Sequence, residues 1–241
     1  MLFRSLLRAL KRAGVNSFDV WRVESDERPD PAAYPVFLRN EAAHRGPIGD
    51  LIADAAALGQ RIDQALAAGY PRRDLMIVQY AAEPALPGLF RKMAAFKIGD
   101  RMVPALCVHE ADWRTKQGTL GIATPALYEE ERDIIVDNRH GEMLRPAFAI
   151  AEMDYGRADF GLPGGKLAVY EINSNPAISG NRADHPSSFR REAFELWRKQ
   201  YLAALEAIDT PTGGRDVPIS GDVFDKQRRR DWPLVRSRWA P

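Results

Sequence analysis

The chain is poor in cysteine: Cys107 is the one such residue among 241, so no internal disulfide is open to it. That fits a reducing compartment. Cys107 sits among Val103, Ala105, Leu106 and Val108, the setting of a buried core thiol rather than a nucleophile. An excess of one charge is missing too. The 34 Lys and Arg against 33 Asp and Glu leave a formal net charge of +1, which gives no argument for nucleic acid or a membrane surface as partner. No apolar run approaches the length of a membrane span. The start, Met1-Leu2-Phe3-Arg4-Ser5-Leu6-Leu7-Arg8, is broken by charge every few residues and lacks the apolar centre of a signal peptide. A cytoplasmic protein is the expectation. The four histidines, His44, His109, His140 and His185, are scattered without His-Glu-x-x-His spacing, and no Ser-His-Asp or Cys-His arrangement stands out.

What is present is an ordinary apolar fraction of 45%, enough for a sizeable core, and elements of both kinds. Leu2, Leu6, Leu7 and Leu10 mark a helix over 2–13, stopped at Gly14. Strands are expected over 17–23, 34–39 and 75–80, with a polar loop at 40–47. Leu51, Ile52, Ala55, Leu58, Ile62 and Leu66 predict one amphipathic helix over 48–68, ended by Gly69. A hairpin is expected over 91–98 and 101–108 across Gly99-Asp100. Helices follow over 125–136, 142–153 and 186–208, the last the strongest. From Thr210 the chain turns rich in Pro, Gly and charge, with Lys226-Gln227-Arg228-Arg229-Arg230. It carries no nucleic-acid motif and reads as a basic extended tail draped on the surface, with Trp232, Leu234 and Trp239 as anchors on the body or in a partner.

The most informative segment is 154–176. Two β-rich runs flank Pro163-Gly164-Gly165, which predicts a hairpin. Strand alternation sets Arg157 and Asp159 on one face of the first arm and Glu171 and Asn173 on one face of the second. Ala158, Phe160, Tyr170 and Ile172 then take the opposite, buried face. Asp159 and Glu171 face the same way only if an odd-length loop is centred near Gly165, so a three- or five-residue loop with a glycine at positive φ is expected. A two-residue loop would split the cluster between faces. Two carboxylates and an amide in one patch suit Mg²⁺, which keeps waters and shares its positions with substrate phosphates. A plain edge hairpin with a charged solvent face is the alternative.

Gly156-Arg157-Ala158-Asp159-Phe160 followed by Tyr170-Glu171-Ile172-Asn173-Ser174-Asn175-Pro176 resembles the metal-binding signature of the ATP-grasp superfamily. The resemblance implies Asp159, Glu171 and Asn173 as Mg²⁺ ligands, with Arg157 acting near the phosphates of ATP. It also implies an α+β, ATP-grasp-like fold of two α+β lobes with nucleotide between them. The first lobe would span 1–82 with its opening helix, the second 83–208 with the hairpin and a closing helix, and the tail 209–241. Tyr34-Pro35-Val36-Phe37-Leu38-Arg39 is similar to the family strand that ends in a phosphate-contacting lysine. Here Arg39 stands in that place, a planar fork instead of a point charge. The loop with His44, Arg45 and Gly46 would take the position of the family's phosphate-covering loop, or be a plain solvated loop. Leu75-Met76-Ile77-Val78-Gln79-Tyr80-Ala81 is similar to the strand leading into the adenine-reading segment. Backbone groups from Val78 through Gln79 and Tyr80 to Ala81 would read the base, and Glu83 the ribose. Among Arg91, Lys92 and Lys97, Lys97 is the cation expected to reach phosphate. His109 and Trp113, beside Lys116, would line an acceptor pocket or form a plain loop.

The family usually carries a further N-terminal lobe, and the resemblance here begins where that lobe would end, so it is expected to be absent or supplied by another chain. The activity implied is ATP-dependent activation of a carboxylate as an acylphosphate, attacked by an amine or a thiol in carbon–nitrogen or thioester bond formation. The acceptor would be a small-molecule or peptide carboxylate, and a homodimer is a further expectation. Two alternatives stay open: a non-catalytic nucleotide-binding module, and a fragment of a larger ATP-grasp enzyme. A third reading, a basic-tailed interaction protein whose hairpin binds nothing, predicts no stabilisation by Mg·ATP.

Overall fold

The structure, a computed structural model, describes residues 3–25, 27–41, 46–82, 84–178 and 185–209. The expectations placed on His44 and Arg45, on Glu83 and on the tail from Thr210 lie outside the described residues. Met1–Ile208 forms one compact unit. Its fold is mixed α and β, with two antiparallel sheets.

The first sheet has the order β1-β4-β2-β3, with β1 Val20–Arg22, β2 Val36–Asn40, β3 Pro47–Ile52 and β4 Leu75–Gln79. The central strand β4 is apolar along its length because both its faces are covered. Leu75 and Ile77 join Val36, Leu38 and Ile52 under helix α2 (Ala55–Ala67) through Leu58, Ile62 and Ala65. Met76 and Val78 alternate to the other side, where helix α1 (Phe3–Arg12) adds Leu6, Leu7 and Leu10. Asp54 caps α2, its side chain accepting from the Ala57 N–H at 2.9 Å. The single helix expected over 48–68 is therefore corrected. Residues 47–52 pair with β2, Val36 opposite Ile52 and Leu38 opposite Ile48, and Gly49 holds φ +75° within that strand. Ile48, Leu51 and Ile52 fit helical spacing in sequence, but pairing to an edge of the sheet outweighs that local pattern.

The second sheet contains β5 Pro84–Leu86, β6 Leu89–Ile98, β7 Arg101–Glu110, β8 Tyr155–Gly161 and β9 Ala168–Asn173. Strand β6 lies between β7 and β8, and β9 pairs with β8. The β6–β7 turn is at Gly99, φ +56°. One end of the sheet packs Phe96, Ile98, Val103 and Ala105 against helix α5 (Ser188–Ile208) through Phe194, Trp197 and Tyr201. Helix α3 (Pro125–Asp137) joins this layer. Its Glu131 is buried in an ion pair with Arg190 of α5, and the Arg190 guanidinium also donates to the Cys107 carbonyl at 2.9 Å. The other face packs Met93, Ala95, Ala158 and Phe160 against helix α4 (Gly141–Ala151) and α1. Met76 and Val78 of the first sheet belong to this same core, so one apolar cluster ties the sheets together. No helix of the described residues is long and apolar enough to cross a membrane.

Candidate functional site

The β8–β9 hairpin sets the geometry. Its register pairs Arg157 with Asn173, Ala158 with Ile172 and Asp159 with Glu171. By strand alternation Arg157, Asp159, Glu171 and Asn173 share a face, while Ala158 and Phe160 are buried on the other. The turn that yields this register differs from the odd-length loop expected. Residues 162–167 separate Gly161 from its partner Ala168, a six-residue even loop with Gly164 and Gly165 at φ +55° and +74°. The parity is reset by a bulge on β9. Phe160 pairs with Val169 and Asp159 with Glu171, leaving Tyr170 as the extra residue. Tyr170 packs partly buried against the same core as Ala158, Phe160 and Ile172, and it also lines the cavity. Its hydroxyl donates to the Ala81 carbonyl at 3.2 Å, and its ring lies 6.3 Å from Phe18. Gly161 leaves room for it: a Cβ there would come within 2.2 Å of the Tyr170 hydroxyl.

These side chains line a cavity of about 510 Å³ between the two sheets. Its polar end gathers Asp159, Glu171 and Asn173 from the hairpin with Arg39, Lys92 and Arg157. Asp159 is buried and pinned twice. Arg157 Nε donates to its Oδ1 at 2.8 Å, and Lys92 Nζ approaches Oδ2 at 3.2 Å. Arg157 also donates to the Ala177 carbonyl at 3.1 Å. Glu171 Oε1 accepts from the Asn173 amide at 3.2 Å, and Oε2 lies 3.6 Å from Arg39 Nη2. Burial lowers the Arg39 pKa against the pull of Glu171, which favours the charged form. Three cations thus stand over two carboxylates, a balance suited to a polyanion.

The other end of the cavity is apolar and aromatic, with Leu7, Phe18, Phe90 and Val78 in its wall. Phe37 of β2 and Tyr80, just past β4, meet Trp113 at ring distances of 5.0 and 5.5 Å. Gln79, Tyr80 and Ala81 line this end. The Gln79 and Tyr80 N–H groups are used within the sheet, donating to the carbonyls of Asp19 and Pro35 at 3.0 Å each.

Of the residues singled out from sequence, Arg39, Val78, Gln79, Tyr80, Ala81, Arg157, Asp159, Glu171 and Asn173 come together around this cavity. Lys97 does not, and that expectation is corrected. Lys97 pairs with Gly156, on the opposite parity from Asp159, and its ammonium is held by Asp154 at 2.6 Å and the Met153 carbonyl at 3.0 Å. Lys92 takes the place. Asp159 pairs with Ala94, and alternation puts Lys92 on the face of Ala94. Trp113 and Lys116 line the cavity, whereas His109, itself in β7, is buried against Tyr128 of α3. Lys92 and Tyr170 were missed because strand parity and the bulge depend on pairing between segments far apart in sequence.

The donor set fits Mg²⁺ shared with phosphate. Among the described residues no three or more carboxylate, imidazole or thiolate groups are gathered as a cage. Two carboxylates and an amide on one face of the hairpin are oxygen-bearing groups of the kind Mg²⁺ takes while sharing its other positions with phosphates.

No known family model matches the chain, and no curated protein matches it in sequence. Several solved structures align with it in part. The D-alanine–D-alanine ligase of Coxiella burnetii is 12% identical with a TM-score of 0.46, covering 86% of this chain. The chain spans 62% of that ligase. Carboxyaminoimidazole ribonucleotide synthase from Aspergillus clavatus, solved with ATP, is 17% identical with a TM-score of 0.45, over 86% of this chain and 51% of the synthase. The L-amino acid ligase of Bacillus licheniformis is 15% identical with a TM-score of 0.42, over 72% of this chain and 40% of that one.

Proposed function

We propose that this chain binds Mg·ATP between its two sheets and uses it to activate a carboxylate as an acylphosphate for attack by an amine or thiol. One observation carries the reading: the Asp159–Glu171 register, which turns two carboxylates, an amide and a guanidinium toward one cavity. Asp159, Glu171 and Asn173 would hold Mg²⁺, which when bound neutralises phosphate charge and orients the triphosphate for in-line transfer. Arg39, Lys92 and Arg157 would bind phosphate oxygens, Arg157 staying on the transferring group. Phe37, Tyr80 and Trp113 would take the base. The transfer needs little proton chemistry from the protein, in keeping with a cavity whose described lining residues include no histidine or cysteine.

A second reading, nucleotide binding without turnover, is favoured by the ion pairs of Asp159 with Arg157 and Lys92. There the cations alone would hold phosphate and the carboxylates would remain their counter-ions. Metal dependence separates the two. Under the ligase reading the stabilisation by ATP needs Mg²⁺ and is lost in Glu171→Gln, and phosphate is released with a suitable carboxylate and amine. ATP binding that ignores Mg²⁺, with no phosphate release across carboxylate and amine panels, would sink it.

A further inference from the structure

The segment after β7 crosses from the second sheet to the first. Trp113 packs on Phe37 and Tyr80, and Arg114 reaches Asp50 of β3 at 3.3 Å. Its shape is imposed from inside by one carboxylate. Glu110, the last residue of β7, accepts at Oε1 from the backbone N–H groups of Lys116, Gln117 and Gly118 at 2.9, 2.8 and 2.7 Å. Three successive amides turned onto one oxygen form a concave arrangement suited to an anion. Gly118, at φ +83°, supplies the backbone reversal. Two further bonds close the loop: the Arg114 N–H donates to Asp112 Oδ1, and the Thr119 N–H to the His109 carbonyl, each at 2.8 Å. Burial disfavours the charge on Glu110, but the three amides outweigh it and hold its carboxyl below the usual value.

This shape delivers two side chains to the cavity. Trp113 bridges to the first sheet, and Lys116 lines the wall with no ion pair among the described residues. Glu110 itself is not part of the lining. We propose that Glu110 is a positioning residue for the nucleotide cavity: by gathering the amides of 116–118 it holds Trp113 and Lys116 where a bound nucleotide meets them. The proposal rests on the nucleotide reading above and adds a residue that touches no ligand.

The test is a double-mutant cycle on the full chain, read by calorimetric titration with Mg·ATP, together with amide hydrogen exchange without ligand. Glu110→Ala should weaken binding at least tenfold. In a Trp113→Ala/Lys116→Ala background the same change should cost less than twofold, because the residues through which Glu110 acts are gone. Glu110→Gln keeps one acceptor oxygen and should recover part of the affinity, and it also serves should Glu110→Ala fold poorly. An equal loss in both backgrounds, or no loss in the parent, overturns the proposal. Exchange of the 116–118 amides should quicken at least tenfold in Glu110→Ala, and unchanged exchange overturns the hold on the loop. A parent chain that binds no Mg·ATP overturns the nucleotide reading and the ligand half of this one, and the exchange result still decides what Glu110 does to the loop.

Discussion

Asp159 is held by Arg157 and Lys92, its own side chain 3% exposed. Removing it leaves two largely covered cations facing each other. Asp159→Ala should therefore lower stability by about 1–3 kcal/mol, read as a lower urea midpoint. Glu171 is more exposed, at 25%, and its partner Arg39 sits at the cavity edge. Glu171→Gln should keep stability within about 1 kcal/mol of the parent while abolishing the Mg²⁺-dependent part of nucleotide stabilisation in a melting assay. His109 gives a pH signature away from the site. Burial, with Arg91 and Arg190 nearby, pushes its pKa down from 6.5 to about 4. The unfolded chain then binds the extra proton first, so stability should fall as pH drops from about 6.5 to 4. His109→Gln should flatten that part of the pH–stability curve.

The hairpin joins residue choice to element geometry. Gly161 lies against the Tyr170 hydroxyl, and the bulge at Tyr170 restores the register that an even loop would have spoiled. Gly161→Ala should displace Tyr170, cost about 1–3 kcal/mol by overpacking, and weaken nucleotide binding in the same titration. The existence of the hairpin and its polar face was legible, since period-two alternation and Pro-Gly-Gly are local signals. The bulge was not, because nothing in the order Val169-Tyr170-Glu171 says which of the three is skipped. Lys92 and Lys97 make the same point: their parity relative to Asp159 is set only when β6 pairs with β8. The segment 47–52 failed for another reason. Its apolar spacing, Ile48, Leu51 and Ile52, is helical rather than alternating, and pairing with β2 through a register shift overrode it.

At the scale of the molecule, a ligand that binds the folded state alone raises its stability by roughly 2.7 kcal/mol at a hundred times its dissociation constant. Mg·ATP should therefore give a plain upward shift in melting temperature. Met76 and Val78 of one sheet and Met93 and Ala95 of the other are buried in a single cluster with α1. Spreading the sheets would expose those side chains at roughly 25 cal/mol per Å². The Met1–Ile208 unit is thus built against hinge-like spreading of its two sheets. Small-angle scattering should find nearly the same radius of gyration with and without nucleotide, and traffic in and out of the cleft would fall to its rim, where the Trp113 segment lies.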